Sequence, residues 1–566
     1  MTQRADCILH NAKVITCDAR STIARAVAIA GDRILGVGEN ADLAAYEGDA
    51  TRRIDLQGRT VIPGLIDGHA HMDREGLKDV YPSLAGARSI DEVLQRVEAL
   101  VKEAEPGAWI VTMPLGDPPY YWDVPNNLKE KRFPTRHDLD RVSPHNPVYV
   151  RSIWGFWRHT LPLVSVANSK ALEIAGVTRR SLPPCGSVQI DKDFATGEPS
   201  GLFLEWTYMP VVELTLMRAA GAFTHEHRVR GLPKAMQSYN AVGTTSVFEE
   251  HGVASELLRA YKAVWEAGDA TVRANLVVSP AWNTVDAVPA NRLMESWVSW
   301  LAGIGLGDSF LRVGGLYAEL QGAIGDPAEN AARAQASPYT GWSGFNYDAN
   351  LPREQLHAVM LEAARNDIRI VGLWPGMLEL CEAVNRVVPI AGKRWALGHI
   401  NVLTDDDIRR IKELDIVLTT HTNRYVFKEA HLTRDRVGPS GEHDIVPLRS
   451  LKEAGVRFAL ATDNVPVSLF HPIWHCVARR NRYTAEPVAP QQAISREDAL
   501  RAATIEGAYL TFDEHEKGSI EPGKLADLAV LAVDPLTCDE GSLPDIVADM
   551  TIVGGRVVHD ARGGPA

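Results

Sequence analysis

Val61-Ile-Pro-Gly-Leu-Ile-Asp-Gly-His-Ala-His-Met-Asp73 carries an apolar run into two histidines one residue apart. Residues i and i+2 of an extended strand project on the same side, so His69 and His71 can face one point. Val61, Ile62, Leu65 and Ile66 make the apolar approach of a buried strand. Pro63-Gly64 marks the turn that feeds it. Two imidazoles converging at a strand end form half a site for a divalent metal such as zinc. Two histidines on a solvated strand edge would share that spacing; the PGLIDGHAH context favours the metal.

Downstream, strand candidates alternate with amphipathic segments. The strands are Thr244–Phe248, Ala274–Val278, Leu311–Leu316, Ile368–Gly372, Arg394–Gly398, Ile416–Thr420 and Arg457–Ala461. With the His69 strand they make eight. Helical periodicity fills 353–366 and 405–414, the latter opened by the cap Thr404-Asp-Asp-Asp. Eight β-then-α units predict an α/β chain built as a (β/α)8 TIM barrel, with its chemistry at the C-terminal strand ends.

Both ends of the chain read differently, as short β-type runs separated by turn signals such as Gly31-Asp32. Neither end has enough strands for its own closed core. Residues 1–62 and 515–566 are therefore expected to pair into one small β-domain, with 63–514 as the barrel. The stretch 76–224 is too long for a βα loop and rich in proline and aromatics. It is expected to be an inserted subdomain that covers the strand ends.

The chain has 566 residues and a net charge of −13. No concentrated Lys/Arg block is present, which argues against nucleic acid or an anionic membrane as partner. No stretch approaches the roughly 18 apolar residues of a membrane span, and the start lacks the apolar region of a secretory signal. A cytoplasmic location is the expectation. Cys7, Cys17, Cys185, Cys381, Cys476 and Cys538 are scattered without CxxC spacing and read as reduced packing residues.

Further landmarks follow in order: FPTRHDLDRVSPHNPVYV at 133–150, NSKALEIAGV at 168–177, GEPSGLFLE at 197–205, VGTTSVFEE at 242–250 and SPYTGW at 337–342. LGHINVLTDDDIRRIKEL at 397–414, LKEAGVRFALATDNVPV at 451–467 and EPGKLADLAVL at 521–531 complete the series. With PGLIDGHAHMD at 63–73, this order resembles the amidohydrolase superfamily, specifically the amidohydrolase 3 family of N-substituted formamide deformylase-like metal-dependent hydrolases. The resemblance implies a metal-bearing TIM barrel with a β-sandwich made from both termini, and a homodimer as the assembly.

The resemblance places a metal-bound, proton-accepting aspartate at Asp463; a turn or capping aspartate is the competing reading. His399 matches the sixth-strand histidine, a metal ligand or a contact to the substrate carbonyl. His421, ending the next strand, could orient substrate or polarise its carbonyl, or be structural. Two departures stand out. Tyr317 occupies the position of a fourth-strand lysine that can be carboxylated to bridge two metals, and Gly372-Leu-Trp-Pro-Gly376 replaces a fifth-strand His-Ala-Ile-Gly-Asp. A conventional two-metal site is thus not expected. Glu319 is the first choice for the missing carboxylate, sharing its side of the strand with Tyr317; Glu249, Glu250 and His251 are others.

The expected metal set is His69, His71, Glu319, His399 and Asp463, holding one zinc ion, with manganese or another divalent ion as the alternative. Asp463, His399 and His421 are the expected catalytic residues. His471 and His475, at i and i+4, have a zinc-compatible spacing but lack the HExxH glutamate; pocket wall or helix packing is the preferred reading. His159 is the nearest match to a histidine that relatives carry near the site. Trp122, Trp154, Trp157 and Trp374 are expected to bind substrate by stacking, against the reading that they are ordinary core.

The resemblance, with the aromatic content, implies hydrolysis of a C–N amide bond in a small aromatic or apolar substrate. A deaminase or cyclic-amide hydrolase on the same scaffold is the first alternative. A metal-binding or regulatory protein that has lost catalysis is the second.

Overall fold

Eight parallel strands, alternating with helices, form a nearly closed barrel. They are β1 (Leu65–Asp67), β2 (Thr244–Val253), β3 (Arg273–Val278), β4 (Leu311–Tyr317), β5 (Ile370–Leu373), β6 (Ala396–Gly398), β7 (Val417–Thr420) and β8 (Phe458–Leu460). Each pairs in parallel with the next. All belong to a computed structural model that describes residues 3–158, 160–221, 223–280, 282, 289–321, 342, 344, 350–374 and 376–563. Between β8 and β1 the seam is drawn together just past the strand ends. Gly68 N–H donates to the Leu460 carbonyl at 2.8 Å, and Asp463 N–H to the His69 carbonyl at 3.0 Å.

The local sequence explains the elements. β1, β5, β6, β7 and β8 are short and buried throughout, mostly apolar apart from Asp67 in β1 and Thr419 and Thr420 in β7, as strands covered on both faces are. Helix Asp405–Glu413 starts at a capping box. Thr404 Oγ1 accepts the Asp407 N–H at 3.2 Å, and the Asp407 carboxylate accepts the Thr404 N–H at 3.0 Å.

The apolar stretch before His69 is two strands, not one. Thr60–Pro63 pairs with Leu528–Leu531 in a different sheet, and Leu65–Asp67 enters the barrel. Gly64 is the joint. A Cβ there would lie 2.2 Å from Thr245 Oγ1, so the two strands can pass only at glycine. β2 in turn runs five residues past its expected end at Phe248, and its register with β3 shifts between Glu249 and Val253. That irregularity includes Gly252 at φ +75°, where a Cβ would stand 2.9 Å from Ser279 N.

Chain termini build the β-sandwich. A six-stranded sheet joins Lys13–Ile15, Ile23–Ala24 and Thr60–Pro63 to Leu528–Leu531, Ala548–Val553 and Arg556–Asp560, the two halves meeting where Thr60–Pro63 pairs with Leu528–Leu531. A four-stranded sheet holds Cys7–His10, Ala26–Ala30, Arg33–Gly38 and Arg52–Asp55. Leu9, Val27 and Ile29 of one sheet share a buried core with Val14, Val61, Leu528, Val530 and Ile552 of the other. Strands from both ends of the chain thus bury one apolar layer.

The chain divides into two compact units. Barrel and sandwich form the first, Met1–Met72, Leu232–Gln321 and Ala349–Ala566; the second is Asp73–Gly231 with Gly322–Asp348. Within the second, Ile110–Thr112, Val148–Val150, Leu163–Ala167, Pro199–Glu205 and Val188–Lys192 form a mixed sheet. Helix Ile90–Glu103 packs on it through Ile90, Val93, Leu94 and Val97. Asn168, from the 168–177 landmark, accepts the Val148 N–H at 2.8 Å and donates to the carbonyls of Ser143 and Asn146 at 2.9 Å. No helix among the described residues is long and apolar enough to cross a membrane.

Candidate metal centre

The peptide after β1 is held by Asp67, whose Oδ1 accepts the N–H of His69 at 3.1 Å and of Thr462 at 3.0 Å. Burial pushes the Asp67 carboxyl up to about 7. His69 Nδ1 bonds Glu250 Oε2, which also accepts the Thr419 hydroxyl. That carboxylate fits only because residue 398 is glycine: a Cβ there would lie 2.6 Å from both of its oxygens. Burial alone would lower the pKa of His69, but the Glu250 charge and hydrogen bond raise it.

With Nδ1 engaged, His69 presents Nε2 to the cluster, 3.1 Å from His71 Nε2. His71 Nε2 is in turn 3.3 Å from His251 Nδ1 and 3.3 Å from Asp463 Oδ1. Ligand atoms around a tetrahedral zinc with bonds of about 2.0–2.1 Å stand roughly 3.3 Å apart. Glu249 braces the backbone, accepting the Met72 N–H at 2.7 Å and the Tyr261 hydroxyl at 2.6 Å.

His399 follows β6 directly and Asp463 lies three residues past the end of β8; both adopt left-handed backbone, φ +58° and +53°. Non-glycine residues there cost roughly 1–3 kcal/mol each, a strain that clusters at functional sites. Burial would raise the Asp463 pKa, but the His71 hydrogen bond and the charges of His71 and His69 hold it well below the usual carboxylate range. The rings of His399 and His421 stack at 3.9 Å between centroids. Burial holds both imidazoles well below 6.5, joined by the neighbouring His421 for His399 and His69 for His421.

The arrangement suits a cation. Four sets of three residues have ligand atoms within 4.8 Å of one another: His69, His251 and His399; His69, Glu250 and His421; His69, His71 and Asp463; and His399, His421 and Asp463. Burial leaves Nε2 of His399, Nε2 of His421 and Oε1 of Glu250 without a hydrogen-bond partner. Neutral imidazoles and carboxylates are the donors that zinc and neighbouring divalent metals take.

Of the residues singled out in the sequence, His69, His71, His399, His421 and Asp463 meet here, from the ends of β1, β6, β7 and β8. Glu250 and His251, lower-ranked in the sequence, join them from β2. Glu319 lies in none of the four sets. It accepts a hydrogen bond from Tyr317 OH at 2.9 Å, and burial pushes it up to about 7. Tyr317, in the lysine's position, sets its ring edge-on to His251 at 5.2 Å. His471 and His475 are also outside these sets; His475 is buried and stacks on Phe427 at 4.9 Å. Trp374 follows β5, donating its main-chain N–H to the Gly398 carbonyl at 2.8 Å.

Trp122, Trp154 and Trp157 belong to the second unit. Trp122 stacks on Tyr120 at 3.9 Å; Arg74 caps Trp154 at 4.7 Å and Lys78 caps Trp157 at 4.6 Å. Trp154 and Trp157 have the burial of core residues. His159 and residues 337–341 of SPYTGW lie outside the described residues, as does Pro375 of the fifth-strand motif.

Residues 52–559 match the family model described as "Amidohydrolase family". The chain belongs to the amidohydrolase family. Among its amidohydrolase relatives, it is 28% identical to the N-substituted formamide deformylase of Arthrobacter pascens, covering 100% of both chains. It is 26% identical to the protein LONG AFTER FAR-RED 3 of Arabidopsis thaliana, over 98% of this chain and 92% of that one. An uncharacterized metal-dependent hydrolase from Pyrococcus horikoshii OT3 has a similar fold, with a TM-score of 0.65 at 20% identity over 94% of this chain and 99% of that one. The amidohydrolase barrel and terminal sandwich read from the sequence are therefore the fold of this chain.

Proposed function

We propose that this amidohydrolase is a metal-dependent hydrolase cleaving the C–N amide bond of a small aromatic or apolar substrate. The observation that carries the proposal is the convergence of His69, His71, His399 and Asp463 from the C-terminal ends of separate barrel strands. The name of the full-length deformylase relative supports an amide as the bond. Trp374, which follows β5 in the barrel, would favour a flat or apolar group.

His69, His71, His399 and Asp463 would hold the cation, His399 with Nδ1–H donated to Tyr425 at 3.1 Å and the Nε2 lone pair turned inward. When bound, a divalent cation acts as a Lewis acid and brings the pKa of water down to about 7. Asp463, ionised near neutral pH, accepts a proton from the water that attacks the carbonyl carbon. It returns that proton to the amine nitrogen as the C–N bond breaks, yielding a carboxylic acid and an amine. His421 faces the carbonyl oxygen with an N–H donor and stabilises the charge that develops there.

A cytoplasmic location and a homodimer belong to the same proposal; the six cysteines, all unpaired, fit a reducing compartment. The test is to strip the purified protein with a chelator, reload it with zinc or manganese, and follow amine release from N-substituted formamides and aryl amides. Metal uptake with metal-restored amine release is the expected result. A protein that takes up neither metal and releases no amine from any of them would overturn the proposal.

A further inference from the structure

Two departures from the family pattern leave this centre without a fourth-strand lysine and a fifth-strand histidine. Tyr317 and Gly372 stand in their places, and neither tyrosine nor glycine, as they sit here, restores the donors. β2, however, runs past Phe248 to Val253 and carries His251 into the cluster. His251 Nδ1 stands 3.3 Å from His71 Nε2, and His251 shares a donor set with His69 and His399. The Tyr317 ring lies edge-on against the same imidazole, so the residue replacing the lysine supports the replacement histidine.

The number of ions follows from His69. This residue belongs to the set with His251 and His399 and to the set with His71 and Asp463. Its Nδ1 is taken by Glu250, which leaves only Nε2, and one imidazole nitrogen carries one metal bond. The two sets can therefore hold only one ion between them through His69.

We infer that His251 is a metal ligand of a mononuclear centre, supplied by the second barrel strand in place of the absent fifth-strand histidine. The ion it would take is a borderline divalent metal such as zinc or cobalt, which favours imidazole. The inference rests on the metal-dependent reading above.

Its test uses metal binding and a spectrum rather than turnover. Wild-type protein should bind one equivalent of zinc, and His251→Gln should bind it at least about 100-fold more weakly, beyond the range for residues that only support a ligand. His251→Cys loaded with cobalt(II) should show a thiolate-to-metal charge-transfer band that wild type lacks, which only a side chain bonded to the ion produces. Circular dichroism separates loss of a ligand from loss of the fold, and the cysteine variant decides if the glutamine variant misfolds. Two tight equivalents in wild type would overturn the single-ion centre. Unchanged zinc affinity in His251→Gln, or no thiolate band in His251→Cys while wild type binds zinc, would overturn the ligand assignment alone. A wild type that binds no metal would overturn both this inference and the proposed function.

Discussion

The main-chain N–H of His399 donates to Nδ1 of His421 at 3.3 Å. A neutral imidazole with Nδ1 accepting carries its proton on Nε2, and burial keeps His421 neutral. The nitrogen turned into the cluster is therefore a donor and not a metal ligand. His421→Asn should lower kcat by about 100- to 1,000-fold, the cost of losing one such donor, while metal content stays at the wild-type level. Steady-state kinetics beside metal analysis check this; equal loss of metal and activity would make His421 a ligand instead.

Glu250 fixes which nitrogen of His69 faces the cluster. Carboxylates that orient a ligating histidine contribute about 10–100-fold to metal affinity. Glu250→Gln should weaken zinc binding by that factor in a competition titration against a chromophoric chelator. Unaltered affinity would show that His69 holds its orientation without the charge.

Gly398 ends β6 directly beneath the Glu250 carboxylate, where a Cβ would lie 2.6 Å from both oxygens. Gly398→Ala must displace that side chain from a packed site, and overpacking of this kind costs about 1–3 kcal/mol. The expected outcome is a lower denaturation midpoint together with weaker zinc binding. A variant with wild-type midpoint and affinity would refute the tight fit.

His475 lies outside the proposed ligand set, and burial, with His471 and Lys428 nearby, holds its pKa well below 6.5. The unfolded chain takes up a proton at this residue below about pH 6.5 and the folded chain does not. Its share of stability is present above that pH and is lost as the pH falls. In metal-free protein the decline contributes up to about 1.4 kcal/mol per pH unit from this one histidine. Denaturant unfolding of His475→Gln between pH 7 and pH 5 should show a shallower slope than wild type; an identical slope would mean that His475 protonates in the folded state.

Part of the centre was legible because its signals are local. HxH spacing, Asp463 after an apolar strand and the Thr404 cap all lie within a few residues of sequence. Glu250 and His251 were harder to rank because the apolar run Thr244–Phe248 marks where β2 is buried and not how far it extends. Glu319 ranked above them from its place two residues after Tyr317. Instead its carboxylate pairs with the Tyr317 hydroxyl, a local partner that side-sharing along a strand does not reveal.

The eight-strand alternation, the β-type character of both ends and the placement of His69 and His71 on one side of a strand are legible in the order of residues alone. Period and burial are properties of short segments, so the chain's order records them directly. Which side chains meet at the centre is set by the folded barrel. Residues 69, 251, 399, 421 and 463 are brought together by barrel closure between β1 and β8 and by the extension of β2. Their separations of a few ångströms depend on strand register, on Gly398 leaving room for Glu250 and on left-handed turns at His399 and Asp463. Those relations exist only once the barrel is closed.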